Sequence, residues 1–296
     1  MTFLPDFNSP TAIKLFLESH EMAMQKKFGQ NFLIQENSRK KILAAFGNVE
    51  GKKIWEVGPG LGAMTQHLLE EKAQVIAFEI DKGFSSVLRK AFSPERILAP
   101  ASFRLVEGDF LKTWENEWET QGAPDYFFGN LPYNISSQIL ANTISKGLRF
   151  EKAIITVQKE LAERIDAKPG QKDYSSFSVL IQWAYNVKKI IDLGPSHFWP
   201  RPNVDSRSLL LEKKEDFPQC LDAGHFMELQ RALFLSRRKT IKNNLIQFYK
   251  NDDIAETVLE TANIKANERA ENLSLENILH LSDCSYQFLQ EKKGGK

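Results

Sequence analysis

Four consecutive residues, Asn130-Leu131-Pro132-Tyr133, carry groups that together could act on an aromatic amine. Such an amine is a poor nucleophile, because its lone pair is delocalised into the ring. The Asn130 side-chain carbonyl and the Leu131 backbone carbonyl could each accept one of its N–H bonds. That would hold the nitrogen towards tetrahedral geometry and leave its lone pair free to attack. Pro132 fixes φ and turns the Leu131 carbonyl inward, and Tyr133 offers a face on which a base can stack. Asn-x-Pro is also an ordinary turn, so the tetrapeptide gains meaning only from its surroundings.

Upstream, Glu56-Val57-Gly58-Pro59-Gly60-Leu61-Gly62 follows an apolar strand and opens a helix. Glycines there let a ligand approach bare backbone. A second strand ends in Glu79-Ile80-Asp81, with Glu79 twenty-one residues beyond Gly58. A carboxylate at that point can accept from both hydroxyls of a ribose. A third strand ends in Glu107-Gly108-Asp109, where Asp109 can accept from an adenine amino group. Nicotinamide dinucleotides and S-adenosylmethionine (SAM) both contain these parts. The pyrophosphate of a dinucleotide would sit badly beside Glu56, whereas the ammonium and sulfonium of SAM suit an anion there. Three acidic strand ends in order favour SAM. A sulfonium is already an activated leaving group, so such a reaction needs neither metal nor covalent nucleophile. The histidines (His20, His67, His197, His225, His280) show no ligand spacing and read as structural or surface residues.

These groups must be held by regular elements, and the pattern supplies them. From Gly51 onward, short apolar strands alternate with helical periods: IWEVG, a helix through Leu61 to Leu69, QVIAFEI, and a helix around Val87 to Phe92. FRLVEGD, DYFFGNLPY and KAIITVQ follow as strands, which indicates a parallel α/β sheet. NVKKIIDL and SRSLLLE close this portion. Ahead of it, Ser9-Pro10 caps a short amphipathic helix carrying Ile13, Leu15, Phe16 and Leu17. From about Phe226 to Phe288 the apolar spacing is helical throughout, and a second, all-helical domain fits. The division expected is an N-terminal helical extension over 1–25, a SAM-binding domain over 26–214 and a helical C-terminal domain over 215–296.

The chain has 296 residues, of which 42% are hydrophobic and 26% charged, with 39 Lys+Arg against 38 Asp+Glu. Disordered, collagenous and coiled-coil classes are thereby excluded. No apolar run approaches the roughly 20 residues that span a bilayer, and the N-terminus does not read as a secretory signal. Cys220 and Cys284 make no disulfide framework, so a reducing cytoplasm is expected. Charge is segregated: residues 26–53 and 226–250 each carry a net +5, and 251–296 a net −4. The two basic segments are candidate phosphate surfaces, and Arg237, Arg238, Lys239 and Lys242 would be spread around a helix.

Taken together, Lys27-Phe28-Gly29-Gln30-Asn31-Phe32-Leu33, EVGPGLGAMT, the acidic strand ends and GNLPYNISS resemble the ribosomal RNA adenine N6-dimethyltransferases. Phe198-Trp199-Pro200-Arg201-Pro202-Asn203-Val204-Asp205-Ser206, RRKTIKNNL and Arg269-Ala270-Glu271-Asn272 extend the resemblance over about residues 10 to 285. It implies a class I SAM-dependent methyltransferase with a Rossmann-like sheet and a smaller helical domain. It also implies a monomeric enzyme that dimethylates two adjacent adenosines near the 3′ end of 16S rRNA in the 30S subunit, with a role in ribosome assembly. By matching position, Asn31, Leu33, Gly58, Glu79, Asp109 and Asn130 would contact SAM. Asn130, Leu131, Pro132, Tyr133 and Phe198 would hold the target adenine, with Arg237, Arg238 and Lys239 on RNA.

Two positions depart from the family pattern. Tyr174-Ser175-Ser176-Phe177-Ser178-Val179 stands where relatives commonly have Y-G-R-L-S-V, and Arg201 replaces a proline. Two other readings share much of this sequence. One is a large-subunit methyltransferase of the macrolide-resistance type, against which RRKTIKNNL and RAEN argue. The other is a non-catalytic RNA-binding assembly or transcription factor, against which the intact tetrapeptide and acidic strand ends argue.

Overall fold

The computed structural model describes residues 4–22, 30–97, 101–132 and 135–294. The chain forms two compact units: one of Met1–Leu140, Leu148–Ala162 and Val187–Lys213, the other of Ala141–Gly147, Glu163–Asn186 and Lys214–Lys296.

The first unit opens with α1 (Pro10–Ser19), whose N-cap Ser9 accepts from the Ala12 N–H. Ile13 and Leu17 are its buried face. Next come β1 (Phe32–Leu33), α2 (Glu36–Ala44), β2 (Lys53–Val57), α3 (Ala63–Glu70), β3 (Gln74–Glu79) and α4 (Lys82–Ala91). β4 (Ser102–Glu107), α5 (Phe110–Gln121), β5 (Tyr126–Asn130), α6 (Ser136–Ser145) and β6 (Lys152–Gln158) continue the alternation. The strand–helix order expected from the apolar pattern is therefore present. Later strands are β7 (Tyr185–Leu193), β8 (Phe198–Trp199) and β9 (Ser206–Lys213), which follow α7 (Lys159–Asp166) and α8 (Ser176–Ala184).

The seven-stranded sheet has the order β4-β3-β2-β5-β6-β9-β7, and β1 pairs with β8 separately. β4, β3, β2, β5 and β6 are parallel, and β9 runs antiparallel to β6. Burial on both faces explains the nearly unbroken apolar runs. Trp55 and Phe127 face Phe110 and Phe150, while Ile54 and Phe128 join Ile42, Phe46 and Leu68 on the other side. The register sets Val57 beside Gly129, Glu79 beside Glu107 and Asn130 beside Thr156, so the functional strand ends share one sheet edge. Chain order reverses between β2 and β5, the switch point at which open α/β sheets bind ligands.

The second unit packs α8 with α9 (Ala223–Leu233), α10 (Ile241–Tyr249), α11 (Asp252–Thr261) and α12 (Leu275–Gly294). The Trp183 ring lies 4.4 Å from Phe217 and 4.5 Å from Phe226. Asn244 is buried and donates to the Leu233 and Ser236 carbonyls, closing the end of α9. Ser175 caps α8 in a reciprocal pair with Ser178, which gives the serine standing where relatives have glycine a structural use; nothing in the structure explains Ser176 in place of arginine. Arg237, Arg238 and Lys239 do not lie on a helix. They occupy the turn before α10, because Thr240 is that helix's N-cap and accepts from the Asn243 N–H. Lys242, counted with them, is instead paired with Asp252 and Glu256.

Candidate active site

A cleft opens at the switch point of the first unit. The glycine turn forms its floor, Glu56 and Glu79 its acidic side, and Asn130, Leu131 and Pro132 its far wall. Gly60 has φ +59°, and a Cβ there would stand 3.0 Å from the Phe32 ring, so the bare backbone is what lets the wall approach. Gly62 has φ +89° and caps α3, and a Cβ there would meet the Phe92 ring at 2.6 Å.

Both acids are nearly inaccessible, with Glu56 1% and Glu79 4% exposed. Glu79 accepts from the Gly60 N–H at 3.1 Å and from the Asp81 N–H at 2.8 Å. It thus ties the glycine turn to the end of β3. Burial pushes its carboxyl up to about 7, against the pull of the backbone N–H groups. Glu56 accepts from the Thr65 hydroxyl at 2.6 Å. Burial raises it to about 7, the Thr65 hydroxyl pulls it down, and the nearby Glu79 charge adds to the rise. Two desolvated carboxylates with so few partners make a strong attraction for a cation.

The far wall is fixed by hydrogen bonds that also orient it. The Asn130 Nδ2 donates to the Asn31 carbonyl at 3.0 Å. Only the amide nitrogen can make that bond, so the Asn130 Oδ1 is left as an acceptor. The Leu131 N–H donates to the Thr156 carbonyl at 3.0 Å, extending the β5–β6 pairing by one residue past β5. Gln30 donates to Asp81 at 3.2 Å, so the Gln30–Leu33 segment is joined to both sides of the cleft. Leu33 pairs with Phe198 across β1 and β8.

Of the expected site residues, Asn31, Leu33, Gly58, Glu79, Asn130, Leu131 and Pro132 line this one cleft. Asp109 does not: half-buried, it caps α5 and accepts from the Leu111 N–H at 3.0 Å. Phe198 is 2% exposed and sits in the core behind Leu33. Tyr133 lies outside the described residues, as do Lys27, Phe28 and Gly29. Arg237, Arg238 and Lys239 are exposed, beside an exposed Leu235. Among the described residues, no group of His, Cys, Asp or Glu is arranged to hold a metal, and no helix is long and apolar enough to cross a membrane.

Phe7, Gln30, Arg39 and Thr156 also line the cleft, although residue types alone did not single them out. Arg39, counted in a basic surface segment, is buried with a 3% exposure. Its position three residues before buried Ile42, on the same face of α2, was the available signal.

The glycine turn, the acid at the end of β3 and the sheet order define a class I SAM-dependent methyltransferase. Residues 22–286 match the family model for ribosomal RNA adenine dimethylase, and the chain belongs to that family. It is 45% identical over 94% of its length to a Treponema denticola protein, the ribosomal RNA small subunit methyltransferase A, covering 95% of that protein. A dimethyladenosine transferase from Plasmodium falciparum superposes with a TM-score of 0.72 at 26% identity, over 88% of this chain and 97% of that one. The 23S rRNA methyltransferase ErmE, at 22% identity and a TM-score of 0.62, shares the fold over 86% of this chain and 99% of its own.

Proposed function

We propose that this chain methylates the exocyclic N6 of two adjacent adenosines near the 3′ end of 16S rRNA, within the small ribosomal subunit and in the cytoplasm. The observation that carries the chemistry is the orientation of Asn130, whose amide is anchored through Nδ2 to Asn31. The small-subunit substrate is supported by the relative from Treponema denticola.

The cleft fits SAM by its own features: a glycine floor without side chains, a carboxylate at the end of β3, and a buried Glu56 that accepts from the Thr65 hydroxyl. Bound there, SAM supplies a methyl group on an electrophilic sulfonium. Glu79 would accept from the ribose hydroxyls, with Gly58 backing the chain beneath. Glu56 would face the ammonium, and Asn31 and Leu33 would close the wall opposite. Asp109, at the neighbouring strand end, would accept from the adenine amino group after giving up part of its helix cap.

Asn130 Oδ1 and the Leu131 carbonyl would take the two N–H bonds of the target amine. Their fixed positions supply the reorganisation that water would otherwise require. Tyr133 would stack on the base, and Phe198 would support that wall through Leu33. The adenosine must leave its helical stack to enter. Arg237, Arg238 and Lys239 would hold phosphates on the helical portion, 215–296, acting as the RNA-binding domain of a monomer that needs no metal.

Methyl transfer from labelled SAM to 30S subunits lacking the two dimethyladenosines, with 50S subunits in parallel, tests this reading. Label confined to adjacent adenosines of 16S rRNA, two methyls on each, supports it. Label on the 50S alone would assign the chain to the large-subunit type. Retained SAM binding with no label on either particle would leave a binding factor.

A further inference from the structure

The cleft holds two buried acids and one buried base. Arg39 is the one cationic side chain among its described lining residues. Its Nη1 donates to the Leu33 carbonyl and its Nη2 to Asn8 Oδ1, each at 2.7 Å. Neither acceptor carries a charge, and the buried Nε has no acceptor at all among the described residues. Glu36 and Asp6 act on the guanidinium through space, and Glu36 is itself paired with Lys40. A charge withdrawn this far from water is normally offset by an opposite charge in contact. Within the described residues that partner is missing on the cleft side.

A further observation, with the cofactor reading above, says what sign and size of group would fill the place. Ala63 and Met64, in the first turn of α3, line the same cleft, and a helix N-terminus favours an anion. In the cofactor reading above, Glu79 takes the ribose and Glu56 the ammonium. The one negative group of that molecule, left without a partner there, is its carboxylate.

We propose that Arg39 is a further cofactor-binding residue, which takes the α-carboxylate of SAM and, through Asn8, latches the N-terminal segment over that end of the cleft. The inference rests on the cofactor reading above. The latch has a built seat. Ile13 and Leu17 of α1 pack with Leu61, Phe84 and Val87, and Phe7, one residue before Asn8, lines the cleft. One guanidinium therefore joins three things: the cofactor-facing Leu33 strand, the N-terminal segment and the ligand's negative end. Burial also pulls the Arg39 pKa down, as expected for a charge whose partner comes with the ligand.

Binding of SAM and of decarboxylated SAM, measured by calorimetry on the full chain, separates a carboxylate contact from a merely structural role. The unsubstituted protein should prefer SAM by roughly 10-fold or more, the size of one charge-assisted contact. Arg39→Met should erase that preference while leaving decarboxylated SAM within about 3-fold of its original affinity. Asn8→Ala should weaken both ligands together and keep the preference. Equal weakening of both ligands by Arg39→Met, or no preference in the unsubstituted protein, overturns the proposal. Should Arg39→Met not fold, Arg39→Lys decides: a reduced preference supports the contact and an unchanged one rejects it. Absence of any SAM binding to the unsubstituted protein would instead overturn the cofactor reading itself.

Discussion

The Thr65 hydroxyl donates to Glu56 at 2.6 Å, and through that bond the first helix after the glycine turn holds a buried acid at the end of β2. A carboxyl raised to about 7 in the folded chain is only partly ionised at neutral pH. Glu79 shares this state. A cationic ligand favours the ionised forms, so its binding must release protons. SAM affinity should therefore increase as pH rises from about 6 to 8 and level off above, with Glu56→Gln flattening the curve. Calorimetry in buffers of different ionisation enthalpy reads the proton release directly, and a pH-independent affinity would remove both acids from the role.

The same acids work against the ligand-free fold. Their pKa values are higher folded than in the unfolded chain, so their contribution is complete below about 4.5 and is lost as pH climbs through 7. Glu56→Gln should accordingly stabilise the ligand-free protein at pH 8 by on the order of 2 kcal/mol and by much less at pH 5. Urea midpoints at the two pH values check it. An equal effect at both would show the glutamate to be unstrained.

Asn130→Ala should leave SAM binding within a few-fold and reduce methyl transfer by about 100- to 1,000-fold, the usual loss for one preorganised polar contact at a reacting group. Single-turnover assays on 30S subunits measure it. Near-normal turnover would mean that the amine is held by something other than the Asn130 Oδ1.

Replacing Arg237, Arg238 and Lys239 together with Ala should weaken rRNA binding and reduce the slope of log affinity against log salt by roughly 2, given about 0.7 to 0.9 per phosphate contact. All three side chains are exposed, so the melting temperature should not move. An unchanged slope would return them to the solvated surface.

Gly62→Ala should cost about 1–3 kcal/mol of stability, since the new Cβ would collide with Phe92 at 2.6 Å and the residue has φ +89°. The denaturation midpoint should fall with an unchanged m-value. A neutral result would require α4 to shift by more than a core of this density normally allows.

The elements that carry chemistry were legible because two strong signals coincide in them. Strands β2, β3 and β5 are buried on both faces, so they read as apolar runs, and each ends where an acid or an amide interrupts the run. Charge was read less well. Arg39 stands next to Lys40 and Lys41, and only the helical phase of α2 separates a buried guanidinium from two surface ammoniums. Arg237 to Lys239 show the reverse case. Their run looks helical until Thr240 is seen as a cap, which starts the helix at Ile241, beyond all three. Asp109 also caps α5 and Phe198 is also buried in the core, second duties that the neighbouring residue types do not announce. Pairwise tertiary choices of this kind leave no periodic trace.

The chain passes between its two units at 140/141, 147/148, 162/163, 186/187 and 213/214. Trp183 and Tyr174, from the third of those stretches, pack on Phe226 and Phe234. The helical unit is thus interwoven rather than appended, and it is not a cassette. A fragment beginning at residue 215 would lack α8 and expose the faces of α9 that α8 covers. Exchange of helical units between relatives would have to carry residues 141–147 and 163–186 along with the C-terminal segment.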